Sequence, residues 1–285
     1  MATSDTWVVT ARVESPLGDG VLRFQSLRGE ERIGEVYEYV LDVWTVDRAV
    51  TFADLAGSEL SVRLHDGATE RRINGTCMGL EEGFSSVPAD EPGVRRAYRL
   101  RLRPWFALHG RVRDSRVFEY GEQSPKPVSD VFVAVAGESD ATSRLGGSIK
   151  RGFGRHASLV QVHASSTPPR PLYVQYRETN LDFLARLLER DGLTWWFEHT
   201  DRGQVKVHLG NQPAHFPDVP GEPLRFYGEK LGEGTEGIDR LRRVAVWEPG
   251  EHVGLAHDWT STGDDRTVEQ AAGEPGAHGD WRRFD

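Results

Sequence analysis

The chain has 285 residues, 38% of them hydrophobic and 28% charged, with a formal net charge of −9. That size allows one large domain or two ordinary ones, and the acidic balance speaks against a general nucleic-acid binder, whose surface is usually basic. A single cysteine, Cys77, excludes an intrachain disulfide framework and a cysteine-built zinc site.

No apolar run approaches the ~18 residues of a membrane-spanning helix, so no membrane anchor is expected. The N-terminal MATSDTWVVTARVES lacks the basic and apolar regions of a secretory signal.

The first third is dense in strand signals. Residues 7–13 alternate loosely, residues 21–27 follow a Pro16-Leu17-Gly18-Asp19-Gly20 turn, and residues 37–46 place Tyr37, Tyr39, Leu41 and Val43 on one face. Residues 52–55 suit one helical turn before Gly57. Strands are expected at 60–64, 73–80 and 97–102, with Cys77 as a small buried thiol. Short strands between turns at this density point to an antiparallel sandwich or barrel rather than a parallel sheet.

A short helix is expected at 105–109, ending at Gly110, and a buried helix at 128–136 after two prolines. Residues 139–171, rich in Gly, Ser and Pro, read as the least ordered segment. The pattern is then sharpest. Residues 173–176 read as a strand, and Thr179 or Asn180 can cap a helix whose first turn carries Asp182. Leu181, Leu184 and Leu188 recur at helical spacing, widened by Phe183 and Leu187, and Gly192 supplies the left-handed stop. An aromatic strand at 193–197, a turn at Asp201-Arg202-Gly203 and an alternating strand through Val205, Val207 and Leu209 complete the unit. Further strands are expected at 241–247 and 252–259, and residues 261–285 read as a polar tail.

Candidate chemistry is sparse. The glycine-rich basic run 146–155 lacks the GK[ST] ending and the flanking strand and helix of a phosphate cradle. His252 and His257, five apart around Gly254, fit neither a helical ligand pair nor one face of a strand. His208 and His215 flank a turn at Pro213 and carry no metal signature. Glu178, Asp182, Glu189 and Asp191 are accounted for by capping and solvation of the helix. Trp195-Trp196-Phe197 suits packing on both sides of a covered sheet better than stacking on a sugar or base.

The segment from Val174 to Glu189, followed by Asp191-Gly192 and the aromatic strand, closely resembles the VQYxExxxxFxxRLxExxG motif of VgrG-type spike proteins of type VI secretion systems, which are similar to the central hub of contractile phage tails. Three other stretches agree in order. They are residues 24–31; Ala53-Asp54-Leu55-Ala56-Gly57 with Asn74-Gly75-Thr76; and residues 98–105 with Asp114-Ser115-Arg116-Val117-Phe118, the latter like an L-x-P-W…SRxF passage. Together they span roughly residues 20–260. The motif positions expected to carry structure rather than chemistry are Pro104, Trp105, Arg116, Phe118, Gln175, Tyr176, Glu178, Phe183, Arg186, Glu189 and Gly192, with no catalytic, cofactor or metal residue.

The resemblance implies a mainly β, α+β hub fold. Two small antiparallel barrel-like domains, at 1–120 and 121–260, would carry flanking helices, with 261–285 leading towards a spike region. It further implies a homotrimer joining a hexameric, Hcp-like tube ring to a spike or needle and baseplate proteins, with possible effector cargo and no enzymatic activity. Such a particle would be assembled in the cytoplasm and fired out, which needs no signal peptide. An envelope-polymer hydrolase and a stand-alone effector-binding adaptor on a hub fold are the alternatives. The glycine-rich stretch 146–166 and the absence of needle repeats depart from the family pattern.

Overall fold

The computed structural model describes residues 10–65, 70–83, 94–138, 140–142, 148–150, 153–164, 167–218, 225–226, 237–238, 242, 251–257, 265–271 and 282–284. The chain divides into two compact units, Met1–Pro220 and Gly221–Asp285.

In the first unit, β1 (Thr10–Glu14), β2 (Arg23–Glu30), β3 (Glu38–Val46), β4 (Glu59–His65), β5 (Glu70–Glu82) and β6 (Arg95–Arg103) form one six-stranded sheet in the order β1-β4-β5-β6-β3-β2. Every neighbour is antiparallel. The two edge strands, β1 and β2, come into contact, so the sheet curls towards a barrel. Alternation decides the inside: Tyr39, Leu41 and Val43 oppose Leu102, Leu100 and Tyr98 across β3 and β6, and all are buried. Leu60, Val62, Ile73 and Cys77 add to that core from β4 and β5. Burial pushes the Cys77 thiol above its usual range, although its hydrogen bond to the Gly79 carbonyl pulls the other way. The single helical turn α1 (Phe52–Leu55) is closed by Thr51, with the Asp54 carboxylate accepting from the Thr51 backbone at 2.8 Å.

On the outer face Asp42 is nonetheless buried. It accepts from Arg99 Nε at 2.8 Å and from Ser26 at 2.9 Å. Burial alone would raise its carboxyl, but these bonds hold it below the usual range.

After β6 a 3-10 turn, Trp105–Arg111, leads into β7 (Arg113–Glu119) and then α2 (Val128–Ala136). Two short strands, β8 (Asp140–Thr142) and β9 (Ser148–Lys150), pair antiparallel. They are followed by a second 3-10 turn, Phe153–Leu159, and β10 (Val160–Val162). Next come β11 (Leu172–Thr179), α3 (Asn180–Arg190), β12 (Thr194–His199) and β13 (Val205–Gly210). β7 and β11 make a two-stranded antiparallel ribbon; β10, β13 and β12 make a three-stranded sheet in which β10 runs parallel to β13.

Here the structure departs from the sequence expectation. Part of the segment read as least ordered supplies the paired strands β8 and β9, a 3-10 turn and the paired strand β10, the last two because Leu159 and Val160 have apolar cover to reach.

One hydrophobic core runs from Val13 to Leu209, with α3 contributing Phe183, Leu184, Leu187 and Leu188, all at most 1% exposed. Each such side chain contributes about 1.5–3 kcal/mol on burial.

Asn74 on β5 is the fixed point between the six-stranded sheet and the β12–β13 hairpin. Its side-chain amide donates to the carbonyls of Thr200 at 2.8 Å and Gln204 at 2.9 Å, its Oδ1 accepts from Ser61, and its backbone N–H donates to His199 Nδ1 at 2.9 Å. His199 Nε2 therefore carries the proton and donates to Glu31.

In the second unit β14 (Arg225–Phe226) pairs parallel with β15 (Gly237–Ile238). β16 (Glu251–His257) lies between β17 (Asp265–Ala271) and β18 (Arg282–Phe284). The strand expected around His252 is present, with its two histidines five apart. The stretch read as a polar tail holds β17 and β18, since backbone pairing with β16 needs no apolar signal in the sequence. The strand expected at 241–247 lies outside the described residues.

Candidate functional site

The residues of the strongest motif meet where β7, β11 and the start of α3 converge. Pro104, in extended conformation, closes β6 and aims Trp105 inwards. Its indole N–H donates to the Val205 carbonyl at 2.8 Å and its ring stacks on His156 at 4.4 Å. Trp105 thus pins the turn after β6 to β13.

The β7–β11 ribbon pairs Phe118 with Tyr173, Val117 with Val174 and Arg116 with Gln175. It then bulges, with Tyr176 and Arg177 left between Gln175 and Glu178. Arg177 sits at φ 50°, a left-handed conformation unusual for a non-glycine, and its N–H donates to Ser115 Oγ at 2.9 Å.

Beneath the bulge lies a buried polar network. Arg116 Nη1 donates to both carboxylate oxygens of Glu138 at 2.8 Å, its Nε to Gln175 Oε1 at 2.8 Å and its Nη2 to Asn180 Oδ1 at 3.3 Å. Gln175 Nε2 donates to Asn180 Oδ1 at 3.0 Å, and the Asn180 amide meets His109 Nδ1 at 3.4 Å. Gln175 and Asn180 are 1% and 0% exposed, so each missing bond here would leave a desolvated polar atom. The guanidinium lies over Phe118, which in turn stacks on Phe183 at 5.6 Å.

The helix cap falls to Thr179, whose Oγ1 accepts from the Asp182 backbone N–H at 3.0 Å. Asn180, the other candidate, is spent in the buried network. Arg186 reaches back to Glu178 through two contacts, 2.6 and 3.2 Å, and to the Val174 carbonyl at 3.1 Å. This braces the bulge from above; with Arg186 half exposed the pair itself is worth under about 1 kcal/mol. Gly192 ends the helix at φ 68°. Glu189 is exposed on the outer face of α3.

Asp191, read as a solvated acid, is buried instead, its carboxylate held by Arg170 at 3.0 Å and Arg190 at 3.2 Å. Burial of its side chain follows from its place at the helix C-terminus, against the segment before β11. Tyr176 is 67% exposed. It stands with Val174, Leu172 and Val117 on the outer side of the ribbon, a row of apolar side chains open to solvent.

A second constellation lies on the β12–β13 hairpin. Trp195 faces the core, near Phe106, while Trp196 faces a cleft of about 420 Å³ lined with His163, Glu198, His208, His215 and Phe216. The aromatic run therefore does pack on both sides of its sheet. His208 partners His163 at 2.8 Å, whereas His215 accepts from the Asn211 backbone at 3.2 Å. His163 escaped the sequence reading because its partner lies 45 residues away and no local spacing connects them. Among the described residues no group of three or more His, Cys, Asp or Glu is placed to hold a metal ion. The network around Arg116 braces the fold and presents no open nucleophile or acid–base pair.

The arrangement agrees with what the chain resembles. VgrG1c, VgrG1b and VgrG1a of Pseudomonas aeruginosa, described as type VI secretion system spike proteins, are 28%, 30% and 27% identical to it over 77%, 72% and 96% of its length. The chain spans only 27%, 24% and 39% of those relatives.

Among solved structures, the E. coli c3393 protein is described as a type VI secretion component similar to T4 tail proteins gp27 and gp5. It aligns at TM-score 0.57 and 17% identity, over 73% of this chain and 51% of its own. The tail protein of Neisseria meningitidis MC58 aligns at TM-score 0.58 and 14% identity, over 97% of this chain and 70% of its own. These likenesses support the hub fold expected from the motifs. Residues 30–285 match the phage tail baseplate hub (GPD) family, and the chain belongs to that family.

Proposed function

We propose that this chain is the hub portion of a type VI secretion spike, a structural joint that trimerises, seats a hexameric tube ring and holds the piercing spike through which effectors are delivered. The observation that carries the reading is the use of the motif. Arg116, Gln175, Glu178 and Arg186 all brace the β7–β11 ribbon, and its outer face leaves Val117, Leu172, Val174 and Tyr176 bare. An apolar row of this kind on a braced ribbon suits an obligate interface between copies.

The six-stranded sheet is then the first barrel-like hub domain and the elements from 121 onward begin the second; the boundary expected at 260 falls inside the β17-β16-β18 sheet, so β17 and β18 are paired strands rather than a bare lead towards the spike. Assembly in the cytoplasm and export by the contractile machine belong to the same reading.

The test is light scattering on the purified chain, alone and with the tube-ring protein. A trimer of about three chain masses that co-migrates with tube rings is expected. Val174→Asp with Tyr176→Asp should give a folded monomer, because both side chains are exposed in the single chain. A wild-type chain that stays monomeric with tube-ring and spike proteins present would sink the proposal.

A further inference from the structure

The cleft on the β12–β13 hairpin holds a directed chain of hydrogen bonds that the hub role does not use. Glu198 and Lys206 face each other across the hairpin, as do Trp196 and His208, so all four lie on one side of it. Burial alone would raise the Glu198 carboxyl, but bonds from Lys206 and His208 hold it below its usual range, so it is an acceptor at neutral pH. His208 Nε2 therefore donates to Glu198 Oε2 at 2.8 Å. Its Nδ1 is then the acceptor, and the proton in the 2.8 Å contact belongs to His163 Nε2.

The two imidazoles are coplanar to 6°, and both lie nearly parallel to the Trp196 indole. His163 is the first residue beyond β10. Its backbone N–H donates to the Leu209 carbonyl at 2.8 Å, continuing the ladder. β10 is a three-residue edge strand anchored at its start by Leu159 and Val160, while Val162 at its end is 41% exposed, so little apolar burial holds that end in place.

We propose that Glu198, His208 and His163 form a proton-operated latch that fastens the end of β10 to β13 at neutral pH and releases it in acid. One added proton is tolerated. It sits on His208 Nδ1 while His163 moves its own proton from Nε2 to Nδ1 and becomes the acceptor, and the bond survives reversed. A second proton, on His163 Nε2, sets two N–H groups and two positive charges against each other across the same gap, and the bond is lost.

Among the described residues, the charged and titratable groups facing the pair are Glu198 and Lys206 from the hairpin and His215 from the turn after β13. Glu198 is the sole anion among them, so double protonation leaves the cluster net positive. Burial, the largest influence, lowers His208 from its ordinary value of 6.5 despite the opposing Glu198. The folded state thus binds this first, tolerated proton less well than the unfolded chain, so stability falls as the pH drops below about 6.5, and the latch opens only when the second proton follows. The latch stands whether or not the chain trimerises.

Amide hydrogen exchange on the full chain at pH 7.5 and 5.0, corrected for intrinsic rates, tests this. Protection at Gln161 and His163, whose N–H groups face β13, should fall about tenfold in acid, the loss of one buried hydrogen bond, while β12 and its pairing with β13 stay protected. In His163→Gln the fall should vanish, because the amide can donate to or accept from His208 and never charges. Unchanged wild-type protection, an equal fall in His163→Gln, or loss across β12 as well would overturn the latch. Should His163→Gln fail to fold, imidazole nitrogen shifts of the wild-type protein decide: both rings charged in acid with the His163 amide still protected would also overturn it.

Discussion

Replacing Arg116 by methionine keeps the length and apolar stem but removes the cation at the centre of the ribbon network. Glu138 then loses two bonds of 2.8 Å, and Gln175 Oε1 loses its donor. Breaking a buried ion pair costs about 3–5 kcal/mol, and the side chains here keep 18% and 15% exposure, which admits some water and brings the cost to about 2–3 kcal/mol. For a unit of 220 residues that is a drop of about 4–12 °C in Tm.

Urea unfolding followed by tryptophan fluorescence should show a lower midpoint with an unchanged slope. The decisive measurement is the double variant with Glu138→Met. Once the Glu138 carboxylate is gone only Asp114, 3.7 Å from Arg116 and more exposed, has lost that cation, so the pair should cost at least about 1 kcal/mol less than the sum of the singles. Recovery stays incomplete, because Gln175 Oε1 still lacks its donor. Additivity within about 0.5 kcal/mol would refute the claim that Arg116 and Glu138 act as a buried pair.

Three further outcomes are expected. Asn74→Ala strips two donors and one acceptor from a fully buried site and should cost about 2–4 kcal/mol, with amide exchange rising first at residues 199–204, where its partners lie. Gly192→Ala forces a β-carbon into φ 68° and should cost about 1 kcal/mol by urea titration, although open space surrounds the site. For Glu31, burial would raise the carboxyl, yet bonds from His199 and Tyr39 outweigh it and hold it below 4.5. Its contribution is therefore present above pH 4.5 and lost as the pH falls further, so the stability profile of Glu31→Gln should be flatter than wild type in that acid range.

What could be read in the chain is what local physics determines. The Thr179 cap, the Leu184–Leu188 stripe and the Gly192 stop need only neighbours within a turn or two, and all three appear where the spacing places them. The strands of the six-stranded sheet are likewise visible in their alternation. The networks were not legible, because their members are distant: Asn180 meets Arg116 across 64 residues, and Glu138 reaches it across 22. Asn180 reads locally as a capping residue, and only tertiary burial turns it into a structural amide. Asp191 misled for the same reason, since its arginine partner Arg170 comes from the segment before β11. The β17 sequence holds a single large apolar residue, Val268, so composition alone described it as a tail.

The place of Asn74 bears on how the chain is made. All six strands of the first sheet leave the ribosome before residue 104, and the sheet has every neighbour it needs by then. Yet the amide at its centre waits for the carbonyls of Thr200 and Gln204, which arrive 126 and 130 residues later. A nascent sheet therefore carries an open polar socket until the hairpin emerges. The hairpin closes that socket as a plug, so a sheet complete in its own strands is sealed only by a segment made long after it.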